Sequence, residues 1–156
     1  MSKINSINAP NTLVQFKYAT STTALDSAST IPYDDTIPQK TEGFEVITVS
    51  ITPQKTTNLL KIDFYTTFDV ADVSGNIIST AALFQDDTAD ALAATSNSDT
   101  AAFSSYASLV YIMAAGTTSS TTFKIRMGKA LGNTKTNNLY GGVSTSILRV
   151  WEFDYV

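Results

Sequence analysis

Histidine and cysteine are both missing from this 156-residue chain, and their absence removes most reaction chemistry before any motif is sought. Without cysteine there is no disulfide, no thiolate nucleophile and no sulfur-ligated metal, so stability has to come from packing or from association between chains. Without histidine the usual general base near neutral pH and the commonest metal ligand are gone, which excludes Ser-His-Asp and Cys-His arrangements. Charge is sparse as well, with 10 Lys and Arg against 14 Asp and Glu for a net −4. The basic residues are scattered singly, whereas phosphate binding needs a basic stripe, so neither nucleic acid nor an anionic membrane is an expected partner. No apolar run approaches the roughly 20 residues of a membrane span. Met1 to Asn11 lacks the charged start, apolar block and cleavage site of a secretory signal. The chain is therefore expected to be soluble and made without an export signal.

What the sequence has in quantity is Thr and Ser, roughly a quarter of all residues, well above ordinary usage. They surround segments of period-two patterning. In Thr121 to Gly128 the apolar Phe123, Ile125 and Met127 alternate with Lys124 and Arg126, the signature of a strand with one buried and one wet face. Asn58 to Val70 repeats it, with Leu60, Ile62, Phe64, Phe68 and Val70 predicted to run along a core. Gly43 to Ile51 carries apolar groups on both faces, Phe44 and Val46 on one, Ile47, Val49 and Ile51 on the other. Ile77 to Phe84, Phe103 to Met113 and Leu139 to Val156 complete the set, with Gln85 to Asp99 and Gly128 to Asn138 read as mostly loop. About seven or eight such strands with no long amphipathic helix predict an all-β, antiparallel two-sheet sandwich or jelly roll.

The first forty residues read differently: a polar start, a short strand candidate at Thr12 to Tyr18, a Ser/Thr-rich passage and then IPYDDTIPQ. Pro32 and Pro38 bias Ile31 and Ile37 toward extended geometry and remove two backbone donors, so this stretch is expected to lie along a surface rather than pair as a central strand. The chain divides into an N-terminal anchoring arm, residues 1–40, and a β knob, residues 41–156. Leu13, Phe16, Tyr18, Ile31, Pro32, Ile37 and Pro38 are the expected assembly contacts of the arm.

Five blocks in order, IPYDDTIPQKTEG, ITPQKTTNLLKIDF, AALFQDDTADALAA, MAAGTTSSTTFKIRMG and GGVSTSILRVWEF, give Ile31 to Phe153 a family likeness. The chain resembles the trimeric jelly-roll heads of bacteriophage and prophage tail-fibre proteins, built like the tumour-necrosis-factor type of head. The resemblance implies a non-enzymatic virion surface protein, assembled in the host cytoplasm as a homotrimer, with other virion proteins of the tail, baseplate or coat as partners. A short knob contacting the host, with a host-surface glycan as a candidate ligand, is the first reading. A capsid decoration protein that clamps coat subunits is the second, and a carbohydrate-cleaving tip a remote third.

Independently of that resemblance, apolar groups on both faces of Gly43 to Ile51 and of the last strand exceed what one sandwich core absorbs, which points to oligomer contact. Phe44, Val46, Trp151, Phe153 and Tyr155 are the candidate trimer contacts. No cofactor, metal or catalytic residue is expected. Asp34-Asp35, Asp86-Asp87 and Asp90 offer carboxylates but no EF-hand spacing, and Gly141-Gly142 lacks the rest of a phosphate loop. Tyr65, Tyr106, Tyr111, Tyr140, Tyr155 and Trp151 are available to stack on sugar rings or to bury in contacts. ADVSGN, ATSNSD and GKALGNTKTNN are the expected exposed tips. A glycosidase would need two carboxylates across a groove, and Asp63 or Asp69 with Glu152 is the pair to examine.

Overall fold

The computed structural model describes residues 12–69, 76–100, 104–130, 134–136 and 143–154. Val70, Phe103, Tyr140, Gly141, Gly142 and Tyr155 lie outside the described residues. So does ADVSGN apart from the backbone of its last residue, Asn76. The described chain is all β: β1 (Leu13–Ser21), β2 (Leu25–Ser27), β3 (Phe44–Ile51), β4 (Leu59–Asp69), β5 (Asn76–Gln85), β6 (Ala93–Thr100), β7 (Ser104–Ala114), β8 (Thr121–Lys129), β9 (Thr134–Thr136) and β10 (Ser146–Phe153).

These strands form two antiparallel sheets. In the first, β1 pairs β10, β10 pairs β4, and β7 lies along the other side of β4; the short β9 continues beside β4 past the end of β10 and carries β2. The second runs β3-β8-β5-β6. Both inner faces contribute to one apolar cluster, an arrangement compatible with the expected sandwich. Leu60, Ile62 and Phe64 of β4 and Leu148 and Val150 of β10 meet Val49, Leu83, Phe123, Ile125 and Met127 of the second sheet. Fully burying each such side chain is worth about 1.5–3 kcal/mol, so the two alternating strands read from sequence, β4 and β8, supply much of the stabilisation.

Two structural details revise the sequence reading. The register of β3 against β8 shifts between Glu45 and Ile47, a bulge that turns Val46 inward beside Ile47. Val46, Ile47, Val49 and Ile51 are all buried, and Phe44 packs against the same core. The apolar surplus expected on this strand is thus absorbed within the chain, and Val46 is a core residue rather than a contact for a second copy. Gln85 to Asp99, expected to be mostly loop, turns at residues 86–92 and then forms β6, paired with β5 from Ala93 to Thr100. ATSNSD is therefore an edge strand and not a tip. GKALGNTKTNN likewise contains the end of β8 and all of β9.

The two open sides of the sandwich are tied. Gln15 Nε2 of β1 donates to Thr52 O just beyond β3, and Asn97 Nδ2 of β6 donates to Ser105 Oγ and Tyr106 O of β7. Such ties limit the unpaired strand edge presented to other chains.

The segment read as an arm falls in two parts. Leu13–Ser21 is β1, hydrogen-bonded along β10 through Ser21↔Ser146. Residues 28–42 form a strap across the outer face of the second sheet, where Ile31 is buried against Ala82 and Phe84, the outward residues of β5. Ile31 N donates to Lys129 O, Gly43 N to Thr30 O, Ala91 N to Pro38 O and Lys40 N to Ala89 O. The strap lies so close to β8 that a Cβ on Gly128 would stand 2.6 Å from Ile31 N. Ile31 therefore works inside its own chain, while Pro32 and Ile37 remain exposed and Pro38 is half-buried.

Candidate interaction face

A β-strand sends alternate side chains to opposite faces, so the register of the first sheet fixes which residues share its outer surface. Phe16, Tyr18 and Thr20 of β1 stand opposite Trp151, Arg149 and Ile147 of β10. These in turn stand opposite Lys61, Asp63 and Tyr65 of β4, which face Ile112, Val110 and Ser108 of β7. The result is a grid four strands wide, aromatic on the β1 side, aliphatic on the β7 side, with charge in the middle.

Large apolar side chains on this grid are open to water: Tyr18 is 62 %, Tyr106 58 %, Val110 60 % and Ile112 59 % exposed, with Leu13, Phe16 and Tyr65 also exposed. Scaled to the roughly 150–250 Å² that a large side chain carries, their open surface is on the order of 500–700 Å². That is at or above the roughly 300–600 Å² of the largest apolar patch on a typical monomer, and it approaches the roughly 800 Å² each partner gives to a standard interface.

The grid is ordered before any partner arrives. Phe16 stacks on Tyr18 with ring centroids 5.5 Å apart and tilts against Trp151 at 5.2 Å. Lys61 Nζ lies 4.9 Å and the Arg149 guanidinium 5.3 Å from the Trp151 ring centre, both in cation–π range. Tyr65 and Tyr106 stack at 6.3 Å. Three groups of the same chain thus pack against Trp151, whose ring is half-buried. At the centre, Arg149 Nε and Nη2 both donate to Oδ1 of Asp63, at 2.9 and 2.6 Å.

The inner end of the same sheet holds a different carboxylate. Glu152 points into the sandwich, fully buried, where Gln15 Nε2 donates to Oε2 and Gln54 N and Asn58 Nδ2 donate to Oε1 at 2.6–2.7 Å. Burial pushes its carboxyl up, and hydrogen bonds from Gln15, Asn58 and the backbone of Gln54 and Lys55 more than offset this, leaving it below the ordinary value. Glu152 and Asp63 therefore lie on opposite faces of one sheet and do not flank a groove. The side chain of Asp69 is outside the described residues.

The other acidic residues have local work. Asp34 accepts from the hydroxyl and backbone N–H of Thr36, bonds that hold its carboxyl below the ordinary range. Asp86, at φ 51°, accepts from Thr121 Oγ1 and Thr122 N and so fastens the start of β8. Asp87 pairs with Lys40 at 2.7 Å, and that hydrogen bond lowers its carboxyl; Asp90 accepts from Gln39 Nε2. Among the described residues, no three such groups converge on a cation position.

Of the residues singled out from sequence, Leu13, Phe16, Tyr18, Trp151 and Phe153 lie on the first sheet with neighbouring registers, Leu13 opposite Phe153. Phe44, Val46 and Ile31 do not join them. Sequence reasoning did not single out Val110 and Ile112, although the unbroken apolar run Leu109 to Met113 was the signal that β7 carries apolar groups on both faces. Comparison with known protein families and with curated proteins finds no match.

Proposed function

We propose that this protein is a non-catalytic assembly module that packs against copies of itself through the outer face of its first sheet, forming the homotrimeric knob of a phage virion. The observation that carries the self-assembly is the ordered grid in which Phe16, Tyr18, Tyr65, Tyr106, Val110 and Ile112 are exposed around a half-buried Trp151. Covering it at about 25 cal/mol per Å² releases on the order of 15 kcal/mol per copy before the losses of association. That equals or exceeds the roughly 4–15 kcal/mol lost on association.

The jelly-roll reading is supported by strand order. β1-β10-β4-β7 against β3-β8-β5-β6 is a double Greek-key path of the kind found in viral capsid and lectin domains. The virion role rests on this wiring together with the resemblance of Ile31 to Phe153 to phage fibre heads. Three identical knobs also multiply weak single contacts with a host surface. Cryo-electron microscopy of the particle carrying the protein tests the reading. Three-fold density at the tail is the expected result; density at the three-fold positions of the shell makes the protein a decoration protein, and absence from the particle refutes the virion role.

A further inference from the structure

We propose that Asp63 and Arg149, together with the same residues of neighbouring copies, close a ring of charge pairs that sets the register and the copy number of the assembly. This inference rests on the self-assembly reading above. Within one chain the pair is only half used: Oδ1 of Asp63 takes both Nε and Nη2 of Arg149. Among the described residues, Oδ2 of Asp63 and Nη1 of Arg149 have no hydrogen-bond partner. A guanidinium and a carboxylate can meet through two parallel bonds, so a single-oxygen grip leaves one acceptor and one donor directed elsewhere.

The Arg149 side chain is 35 % and that of Asp63 18 % exposed, so in the isolated chain water reaches them. Covering the face removes that water. A desolvated charge left without a partner costs several kcal/mol, and hydrogen bonds that satisfy its remaining donors and acceptors offset that cost. The unused donor of one copy and the unused acceptor of the next are complementary, and a head-to-tail contact of this kind closes into a ring when its rotation per copy divides the full turn.

The rows on either side strengthen the assignment. Phe16, Trp151 and Ile112 flank the pair on one side and Ile147 and Tyr65 on the other. Apolar contact is non-directional and tolerates sliding. A slide of one same-face step along a strand, about 6.6 Å, sets the carboxylate of Asp63 against an aromatic or aliphatic group. Lys61, the other charge on the grid, is drawn over Trp151 and away from this position. The apolar rows thus supply adhesion and the Asp63–Arg149 pair selects one arrangement.

The test is sedimentation velocity over a range of concentrations on the full chain and on Asp63→Asn, Arg149→Lys and the exchange Asp63→Arg with Arg149→Asp, with circular dichroism confirming that each folds. The expected wild-type result is one oligomer. Each single substitution is expected to raise the dissociation constant at least tenfold, about 1.4 kcal/mol, or to yield mixed copy numbers, and the exchange is expected to restore the wild-type species. Lysine keeps the charge but not the fork, so its failure to substitute separates the ring from a general attraction. Single variants that assemble to the wild-type copy number with less than a tenfold loss of affinity overturn the ring while leaving self-assembly intact. Loss in the single variants without recovery in a folded exchange variant also overturns it; should the exchange not fold, the two single variants decide. A wild-type chain that stays monomeric removes the self-assembly reading itself.

Discussion

Replacing Ile112 by Glu separates the chain's own stability from the proposed cohesion between copies. Ile112 is 59 % exposed on the outer face of β7 and stands directly opposite Lys61 of β4. In the isolated chain the new carboxylate gains a cross-strand cation, worth about 0.2–1 kcal/mol, against the small effect of a surface substitution, within about 0.5 kcal/mol. Thermal unfolding in dilute solution should therefore be unchanged or slightly improved. In the assembly the substitution removes roughly 1–2 kcal/mol of apolar burial per copy and adds a desolvated carboxylate costing several kcal/mol. Even a net loss of about 3 kcal/mol raises the dissociation constant more than a hundredfold. The assay pairs sedimentation velocity with a dilute-solution melt. A variant that assembles with wild-type affinity refutes the assignment of this face. One that melts well below the wild type in dilute solution refutes the claim that Ile112 is spare to the fold.

Four further outcomes follow from the geometry. Glu152→Gln replaces one of the two oxygens that accept from Gln15 on one side and from Gln54 N and Asn58 on the other by an amide donor, and should cost about 1–3 kcal/mol in denaturant melts, without moving the oligomer mass of the chain that remains folded. Because the folded-state carboxyl of Glu152 titrates below its ordinary value, its contribution is present above about pH 4.5 and should be lost as pH falls through the lowered value; this acid-limb loss should be missing in Glu152→Gln. Gly43→Ala and Gly116→Ala share positive φ, but only at Gly43 would a Cβ meet backbone, 2.5 Å from Met127 O. Gly116→Ala should cost about 1–2 kcal/mol and Gly43→Ala clearly more in the same melt. Ile31→Ala removes the buried anchor of the strap and should cost about 2–5 kcal/mol, with faster amide exchange at Gly43, whose N–H donates to Thr30 O.

The alternation of Leu60, Ile62 and Phe64, and of Phe123, Ile125 and Met127, was legible in the sequence because each run keeps period two without interruption, and both sets are buried. β3 was misassigned by face because a bulge adds one residue at Glu45 to Ile47 and inverts the parity that sequence alone assumes. β6 was missed because Ala, Ser, Asn and Asp carry weak β preference; its pairing with β5 holds it in place. The proposed interaction face was half visible. Trp151, Phe16 and Tyr18 stood out as large aromatics, whereas their convergence with Val110 and Ile112 depends on β10 lying between β1 and β4, and strand order is a long-range property with no local signature. The Asp63–Arg149 pair is invisible for the same reason, since its partners lie 86 residues apart.

The sole tryptophan of the chain, Trp151, sits on the face in question, and its fluorescence gives the most direct test. Quenching of Trp151 by acrylamide, followed over a protein dilution series alongside sedimentation, should fall as the copies associate, with the emission shifting to the blue at the same concentrations. Assembled protein whose tryptophan stays as quenchable as that of the dilute chain would contradict the account.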